Sequence, residues 1–191
     1  MTTIHDESEA SARRFAARAV DDGLVDIAYT TLDTPIGPFL AAATARGLVR
    51  LAFRTEDSGE VLDDLAHRLS PRVLEAPTRL ESVRRQLDEY FEGRRRQFDL
   101  TLDWSLTTGF RRRVLRTTAR IPYGEVSTYG RVAARAGNGR AARAAGSALG
   151  SNPIPIVVPC HRVVRTGGNL GGYGGGLDVK EWLLRLEGAL L

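Results

Sequence analysis

The pattern of apolar residues changes once along the chain, near residue 105, and that change limits the choice of fold more than any other feature of the sequence. Residues 25–53 contain short β-branched and aromatic runs separated by proline and glycine turns, which is typical of antiparallel strands. Residues 61–69 and 78–91 have apolar side chains at three- and four-residue spacing and predict helices packed on that sheet. Beyond residue 105 the helical spacing dominates. The sequence therefore predicts an α+β protein.

We place a domain boundary at this change of pattern. Residues 25–105 are expected to form an N-terminal α/β domain with a small antiparallel sheet, which residues 98–103 complete as a last strand. Residues 106–191 are expected to form a mostly helical C-terminal domain. Residues 1–24 carry no convincing strand pattern, so we interpret them as an N-terminal extension that is either a frayed helix or a disordered arm.

The single cysteine and the three histidines argue against a protein stabilised by disulfides and against a zinc-binding protein. Cys160 alone cannot close an intramolecular disulfide, and together with His5, His67 and His161 it does not form a zinc-binding pattern. We therefore expect a reducing, cytoplasmic compartment, no structural metal and no cofactor. No apolar run approaches the roughly 20 residues that span a bilayer, so we expect no membrane partner.

The charge differs between the two halves of the chain. Residues 1–100 hold 14 arginines and 18 acidic residues, whereas residues 101–191 hold 13 basic and 5 acidic residues. Lys180 is the sole lysine. A strongly basic half is typical of a chain that binds a polyanion, and guanidinium groups suit contacts with phosphates and bases.

A helix-turn-helix is predicted inside the basic half. Residues 108–120 have one apolar face, an Ile-Pro-Tyr-Gly sequence ends that helix, and Ser127 is a suitable N-cap for a second helix over residues 128–136. Gly137-Asn-Gly139 then predicts a tight turn into a third helix over residues 140–149. Such a turn between two helices is the outline of a helix-turn-helix, whose second helix usually enters a DNA groove.

The third of these helices, RAARAAGSAL, has almost no side-chain bulk. Small residues such as Ala142 and Gly146 let a helix backbone approach another surface closely, while Arg140 and Arg143 place positive charge on one edge. A helix packed tightly inside the protein would also be rich in alanine. The basic composition of this half favours contact with DNA over internal packing.

Cys160 is the residue with the most chemical information. It follows a short apolar run, residues 154–158, that is bounded by prolines and predicts a buried strand ending at the cysteine. A lone cysteine is usually a small buried hydrophobe. The adjacent His161, the preceding proline and the following glycines favour a reactive thiol instead, because a nearby base or cation can hold a cysteine as thiolate. On a strand, His161 would point to the opposite face, so contact would need a bend or a bridging water.

Two further features follow the cysteine. Residues 167–176 contain seven glycines, which let the backbone lie close to a flat ligand, with Tyr173 as the ring available to stack on it. Residues 177–188 predict a closing amphipathic helix. Its Glu187 is a possible core partner for a histidine, although an isolated glutamate on a helix is usually exposed.

Four motifs of the C-terminal half resemble those of the O6-alkylguanine-DNA alkyltransferases, also called methylated-DNA-protein-cysteine methyltransferases. They are the acceptor-cysteine motif Pro159-Cys-His-Arg-Val163, the preceding Asn152-Pro-Ile-Pro155, the helix-turn-helix entry IPYGEVSTY over residues 121–129, and Lys180-Glu-Trp-Leu-Leu with Glu187-Gly188 in the last helix. The resemblance is specific over residues 108–188. It is looser over residues 25–104, where it depends on Thr34-Pro-Ile-Gly and Tyr90-Phe-Glu-Gly, and it does not include residues 1–24.

The resemblance implies a DNA repair protein that flips bases. An alkyl group on O6 of guanine, or on O4 of thymine, is not reachable inside a duplex, so the nucleotide has to rotate into a pocket. Arg143 matches the arginine that takes the vacated place in the stack, and Tyr129 matches the tyrosine that helps to rotate the phosphate and donates a proton to the base. The family's helix-turn-helix enters the minor groove of double-stranded DNA, which suits a helix of alanine and glycine. The implied DNA-binding set is completed by Arg140, Ala142, Gly146 and Ser127.

The resemblance also implies the chemistry. Glu187 would hold His161, and His161 would take the thiol proton through a water, so that the Cys160 thiolate displaces guanine from the alkyl carbon. The resulting thioether has no carbonyl for water to attack, so each molecule would act once. The implied pocket residues are Asn152, which ties the helix-turn-helix to the active-site segment, and Val163, Tyr173 and Gly174.

The chain departs from the family pattern in two places. Members often carry a serine or a larger residue where this chain has Gly174, so a hydroxyl contact to the base oxygen is lost and only backbone donation remains. The metal ligands that some relatives carry in the N-terminal domain have no counterparts here.

Other functions stay open on the sequence alone. A noncatalytic protein that binds alkyl lesions and flags them for another repair pathway would require Cys160 to be idle. A cysteine hydrolase using Cys160, His161 and Glu187 would leave the basic helix-turn-helix without a purpose. A DNA-binding regulator would need a dimerisation element, whereas we expect a monomer in solution with the capacity for cooperative binding along DNA.

Overall fold

The computed structural model describes residues 2–189, which form a mixed α+β architecture. Its helices are α1 (Thr2–Asp21), α2 (Ser58–Arg68), α3 (Glu81–Phe91), α4 (Gly109–Thr118), α5 (Tyr129–Arg135), α6 (Ala142–Gly150) and α7 (Leu177–Leu186). Its strands are β1 (Ile27–Leu32), β2 (Phe39–Thr44), β3 (Gly47–Phe53), β4 (Val73–Glu75), β5 (Ser127–Thr128) and β6 (Val163–Val164). No helix in this range is long and apolar enough to cross a membrane.

The main sheet has the strand order β3-β2-β1-β4. The three strands expected from residues 25–53 pair in antiparallel fashion, and the short β4 adds in parallel to β1. The strand expected over residues 98–103 is wrong, since only Leu102 forms an isolated bridge, with Leu48. The side chain of Gln86 on α3 instead binds both backbone groups of Asp99, at 2.9 Å to its oxygen and 2.8 Å from its nitrogen, and this holds the segment against a helix.

The N-terminal extension is helical in the structure. Helix α1 covers Thr2–Asp21, and its Ala16 and Ala19 are buried in the same apolar cluster as Ala28 of β1 and Leu87 of α3. Of the two interpretations of this segment, the helix is the one that the structure contains.

The largest cluster of buried apolar side chains crosses residue 105. It includes Leu51 of the sheet as well as Leu115 of α4 and Leu183 of α7. The backbone also crosses this line, because Leu51 donates a hydrogen bond to the carbonyl oxygen of Pro153 at 2.8 Å. The β-patterned and helical parts of the chain therefore share one core.

The helix-turn-helix is present as α4, α5 and α6, which pack against one another. The assignment of Ser127 as the N-cap of α5 is wrong by one residue: the side chain of Thr128 accepts from the backbone N–H of Arg131 at 3.3 Å. Ser127 instead pairs with Val163 in the two-stranded β5-β6 ladder. Its side chain is buried, with an unpartnered hydroxyl within the described residues.

The apolar run before the cysteine is buried but is not a strand. Residues 154–158 are all buried, yet Ile156 has a φ of +71°, a left-handed conformation that cannot continue a strand. A bridge between Pro155 and Val158 closes the segment on itself. Cys160 consequently begins a short 3₁₀ helix, Cys160–Arg162, rather than ending a strand.

A buried ion pair ties the closing helix to the rest of the molecule. Glu187, at the end of α7, accepts from Arg162 at 2.7 and 2.8 Å and from the hydroxyl of Tyr90 on α3 at 2.6 Å. Arg162 also donates to the carbonyl oxygen of Ile121 at 2.6 Å. Because these partners come from distant parts of the sequence, the pair fixes α3, α7 and the cysteine segment in one arrangement.

We expect Tyr90→Phe to lower the free energy of unfolding by about 1.5 kcal/mol, because it removes one buried hydrogen bond to a charged acceptor that keeps its other partners. Chemical denaturation monitored by circular dichroism measures this. Tyr29→Phe, which removes the hydroxyl of a half-buried tyrosine on β1, is the matched control and should have a smaller effect. Equal losses in both variants would contradict the role of Tyr90.

Candidate active site

The thiol of Cys160 is held by an asparagine. Asn152, which follows α6, donates from Nδ2 to Sγ of Cys160 at 3.1 Å and to the carbonyl oxygen of Val158 at 2.8 Å. Its Oδ1 accepts from the backbone of Ile154 at 3.1 Å. Asn152 therefore joins the end of the helix-turn-helix to the cysteine segment and fixes the position of the sulfur.

The environment of Cys160 keeps its thiol protonated. The residue is only 7% exposed, and burial raises the pKa of the thiol to about 11, although the hydrogen bond from Asn152 and the positive charge of Lys180 act in the opposite direction. A thiol in this state needs a base to become a nucleophile.

His161, the residue after Cys160, is paired with a buried carboxylate. Its Nε2 lies 2.9 Å from Oε1 of Glu187, and neither side chain is exposed. Burial alone would raise the pKa of Glu187, but hydrogen bonds from His161 and Arg162 outweigh it and lower that pKa to about 2. A carboxylate only accepts hydrogen bonds, so Nε2 carries the proton and Nδ1 keeps a free lone pair. Nδ1 is buried without a hydrogen-bond partner in residues 2–189.

The protonation state of His161 suits the role of a base. Burial lowers the pKa of His161 against the opposing effect of Glu187, so the imidazole is neutral near pH 7. The concern that His161 would face away from Cys160 depended on a strand. In a 3₁₀ helix consecutive side chains are about 120° apart instead, and the histidine is free to lie beside the cysteine.

Lys180 is a buried cation near the thiol. It is fully buried on α7, and its Nζ donates to the carbonyl oxygen of Val163 at 2.7 Å and to that of Leu170 in the glycine-rich loop. Burial lowers the pKa of Lys180 to about 8, while the negative charge of the Cys160 thiolate acts to raise it. Lys180 therefore holds the backbone of the glycine-rich loop, and its positive charge also acts to lower the pKa of the Cys160 thiol.

A cavity of about 580 Å³ leads to Cys160, and we call it the acceptor cavity. It lies between α5, α6 and the glycine-rich loop, and its walls include Tyr129, Ala142, Arg143, Gly146, Tyr173 and Gly174. Burial raises the pKa of Tyr129, so its hydroxyl keeps its proton. Tyr173 is half-buried, and its hydroxyl is buried with no partner in the part of the chain that the structure describes.

Six of the expected site residues are not part of the lining of this cavity: His161, Glu187 and Asn152, described above, and Arg140, Ser127 and Val163. Arg140 is exposed just before α6 and is not part of its lining. Ser127 is buried, so its side chain is not on the exposed face where DNA contacts were expected. Val163 is fully buried in the β5-β6 ladder and is not in the lining of either cavity at Cys160, so its place in the pocket wall stays a prediction.

A second cavity of about 380 Å³ also reaches Cys160, and we call it the arginine cavity. It shares Leu149, Gly150, Cys160, Tyr173 and Gly174 with the acceptor cavity. Its remaining walls include Asn152, Pro155, Arg50, Arg68 and Arg111. A Cβ at position 174 would lie 4.0 Å from its nearest atoms, the carbonyl oxygen of Gly150 and the ring of Phe53, and Gly174 lines both cavities.

Three residues of the site were not identified from the sequence. Arg162 and Tyr90 act through a side chain, Glu187, that is remote from both in the sequence, and no local pattern indicates such contacts. For Lys180 the sequence does contain an indication that the side chain is buried. The residue lies three and four positions before the buried Leu183 and Leu184, on the apolar face of its helix, and it is the sole lysine of the chain.

No group of three or more histidine, cysteine, aspartate or glutamate side chains is arranged for a metal ion among the described residues.

Two family models match the chain. The model described as the ribonuclease-like domain of 6-O-methylguanine DNA methyltransferase matches residues 27–104. The model described as the DNA binding domain of 6-O-methylguanine DNA methyltransferase matches residues 109–189. Helix α1 precedes both matches.

Similar proteins extend over most of the chain. A methylated-DNA--protein-cysteine methyltransferase of Methanosarcina acetivorans is 41% identical over 162 residues, 84% of this chain and 98% of the relative. That of Mycolicibacterium paratuberculosis is 42% identical over 161 residues, 84% of this chain and 92% of the relative. A crystal structure of Mycobacterium tuberculosis OGT in complex with DNA has a TM-score of 0.73 and 39% identity, and the match covers 85% of this chain and 93% of that chain. The chain therefore belongs to the 6-O-methylguanine DNA methyltransferase family.

Proposed function

We propose that this protein repairs DNA by transferring a methyl or larger alkyl group from O6 of guanine, and from O4 of thymine, to Cys160, once per molecule. The observation that carries the proposal is the acceptor cavity, which opens between the helix-turn-helix and the glycine-rich loop and has the thiol in its wall. His161, which follows Cys160 in the chain and is paired with Glu187, is the base that we assign to the buried thiol.

DNA binding is assigned to α6 and the basic half of the chain. Ala142 and Gly146 leave the helix thin, so that it fits the narrow minor groove of double-stranded DNA, while Arg140 contributes charge to the phosphates. Arg143 lies on α6 and lines the acceptor cavity. It is thus placed to enter the base stack as the damaged nucleotide rotates out and passes Tyr129. This binding is independent of sequence and suits a cytoplasmic protein that acts as a monomer, with cooperative binding along the duplex.

The transfer is an in-line displacement. Nδ1 of His161 accepts the thiol proton through a water, and the thiolate attacks the alkyl carbon. The sulfur–carbon bond forms as the carbon–O6 bond breaks, and the electron pair stays on the guanine, which receives a proton from Tyr129. Because Cys160 ends as a thioether with no route to hydrolysis, the protein is consumed by the reaction. With Gly174 in the wall, only backbone groups are available there to bind the base oxygen.

The expected reaction leaves one alkyl group on each protein molecule. Incubation with duplex DNA that carries O6-methylguanine should add one methyl mass to the peptide containing Cys160 and restore normal guanine, as measured by mass spectrometry of both products. Turnover beyond one equivalent would contradict the proposal. Tight binding to the lesion without an adduct would support the noncatalytic lesion-binding function instead.

We expect Arg143→Ala to slow transfer from duplex DNA by about tenfold or more, because unstacking a base costs a few kcal/mol, while transfer from free O6-benzylguanine changes little. Single-turnover rates at saturating substrate separate the two. Arg140→Ala removes a charge from the same edge of the helix-turn-helix without changing the cavity. Any slowing of transfer in this variant should disappear at saturating DNA. Equal losses of Arg143→Ala on both substrates would exclude the role in base flipping.

Lys180 is assigned a positioning role toward the thiolate, and its pKa of about 8 sets a pH dependence. Below pH 8 the protonated lysine stabilises the thiolate, and above pH 8 it loses that charge. Lys180→Met should therefore slow transfer by about tenfold at pH 7, corresponding to one unit in the thiol pKa, with a difference that narrows above pH 8. A purely structural role would give the same loss at every pH. Arg185→Met on the exposed side of α7 is the matched control.

A further inference from the structure

The arginine cavity has no part in the transfer of a methyl group. It shares Cys160, Tyr173 and Gly174 with the lining of the acceptor cavity, so the cysteine lies at the border of both spaces. Its volume of about 380 Å³ exceeds what a methyl group needs.

The charged side chains of this cavity are not balanced. Arg50 is paired with Glu56, and Arg68 is paired with Asp64 on its own helix. Among residues 2–189, these two acids are the only carboxylates in the lining, against three arginines. Arg111 on α4 has no carboxylate partner in residues 2–189, and its guanidinium donates to the carbonyl oxygen of Ser151. The excess positive charge therefore lies on Arg111.

Arg111 also has an unused donor. Its Nε is buried and has no hydrogen-bond partner among the described residues. Burial lowers the pKa of Arg111, and the nearby charges of Arg68 and Arg50 lower it further. A buried donor without a partner and a cluster of like charges both cost free energy. An anion bound in the cavity would relieve both costs.

The geometry of the in-line displacement directs a substituent on the transferred carbon toward the arginine cavity. In an in-line reaction the sulfur and O6 lie on opposite sides of the reacting carbon, so any further group on that carbon points sideways. In the proposed reaction the flipped guanine occupies the acceptor cavity, and the arginine cavity, which shares Cys160 and Gly174 in its lining, is the neighbouring free volume.

We propose that the arginine cavity receives the substituent on the transferred carbon, and that the protein prefers alkyl groups that end in a carboxylate, of which carboxymethyl is the smallest. This inference rests on the proposed alkyl transfer to Cys160. The thiolate attacks the methylene carbon of O6-carboxymethylguanine, the carbon–O6 bond breaks, and guanine leaves with the electron pair and takes a proton. The product is S-carboxymethylcysteine, whose carboxylate pairs with Arg111.

The test compares three duplexes, each with a single O6-alkylguanine that carries methyl, carboxymethyl or carbamoylmethyl. The last two groups have the same number of heavy atoms and differ in charge. Single-turnover rates are measured by mass spectrometry of the peptide that contains Cys160. The ratio of the carboxymethyl rate to the carbamoylmethyl rate should fall about tenfold in Arg111→Gln, since a hydrogen bond to a charged group contributes about 1.5 kcal/mol or more.

Two variants control for charge and folding. Arg116→Gln removes an exposed arginine from the same helix, away from the cavity, and should leave the ratio of rates unchanged. In Arg111→Lys the ratio should lie between that of Arg111→Gln and that of the wild type. If Arg111→Gln does not fold, the salt dependence of the wild-type protein tests the inference. Its ratio of the carboxymethyl rate to the carbamoylmethyl rate should fall as added salt screens the arginines.

The outcomes separate the two proposals. A ratio that is the same in Arg111→Gln and the wild type, or that does not respond to salt, overturns this inference while methyl transfer continues. Absence of an adduct from all three duplexes, with the protein folded, overturns the proposed function itself.

Discussion

The arrangement of the site depends on one buried carboxylate. Glu187 accepts hydrogen bonds from Tyr90, His161 and Arg162, which reach it from three parts of the fold. A buried carboxylate without a cation would be strongly unfavourable, so Arg162 and Glu187 are needed together. The same carboxylate places the proton of His161 on Nε2 and leaves Nδ1 with a free lone pair, which is the base in the proposed reaction. The interaction that stabilises the junction between α3, α7 and the cysteine segment therefore also determines the chemistry that His161 can perform.

In the proposed reaction, a buried thiol with a pKa near 11 is an advantage rather than an obstacle. Oxidation of cysteine follows thiolate character and exposure, and a protein that reacts once loses its function when its cysteine is oxidised. At neutral pH Cys160 stays protonated and only 7% exposed, so it is inert between lesions. The adjacent imidazole and Lys180 supply the base and the positive charge when an alkyl carbon is in place. Reactivity is thus determined by the neighbours of the sulfur rather than by a permanent thiolate.

The sequence predicted the parts of the structure that depend on local pattern. The helices of the C-terminal half and the first three strands follow from spacing and turn residues, and the acceptor motif follows from the resemblance. The strand expected over residues 154–158 was wrong because burial and β-branching do not reveal the left-handed Ile156. The strand predicted over residues 98–103 was wrong because Gln86, a residue of another element, binds the backbone of this segment. The burial of Glu187 and the unbalanced charge at Arg111 depend on contacts across the fold, which no local pattern contains.

The glycine-rich loop shows how the two parts of the chain shape one site. Gly171 has a φ of +70°, and a Cβ there would lie 2.7 Å from the hydroxyl of Tyr129 in the helix-turn-helix. A Cβ on Gly175 would lie 2.6 Å from the ring of Phe53, at the end of β3. The loop is therefore pressed between a ring from the sheet and a ring from the DNA-binding half, and Lys180 holds its backbone at Leu170. Because these contacts use backbone rather than side chains, the loop approaches both rings closely, and Gly174 within it lines both cavities at Cys160. Glycine at these positions thus determines where the loop wall of the two cavities lies.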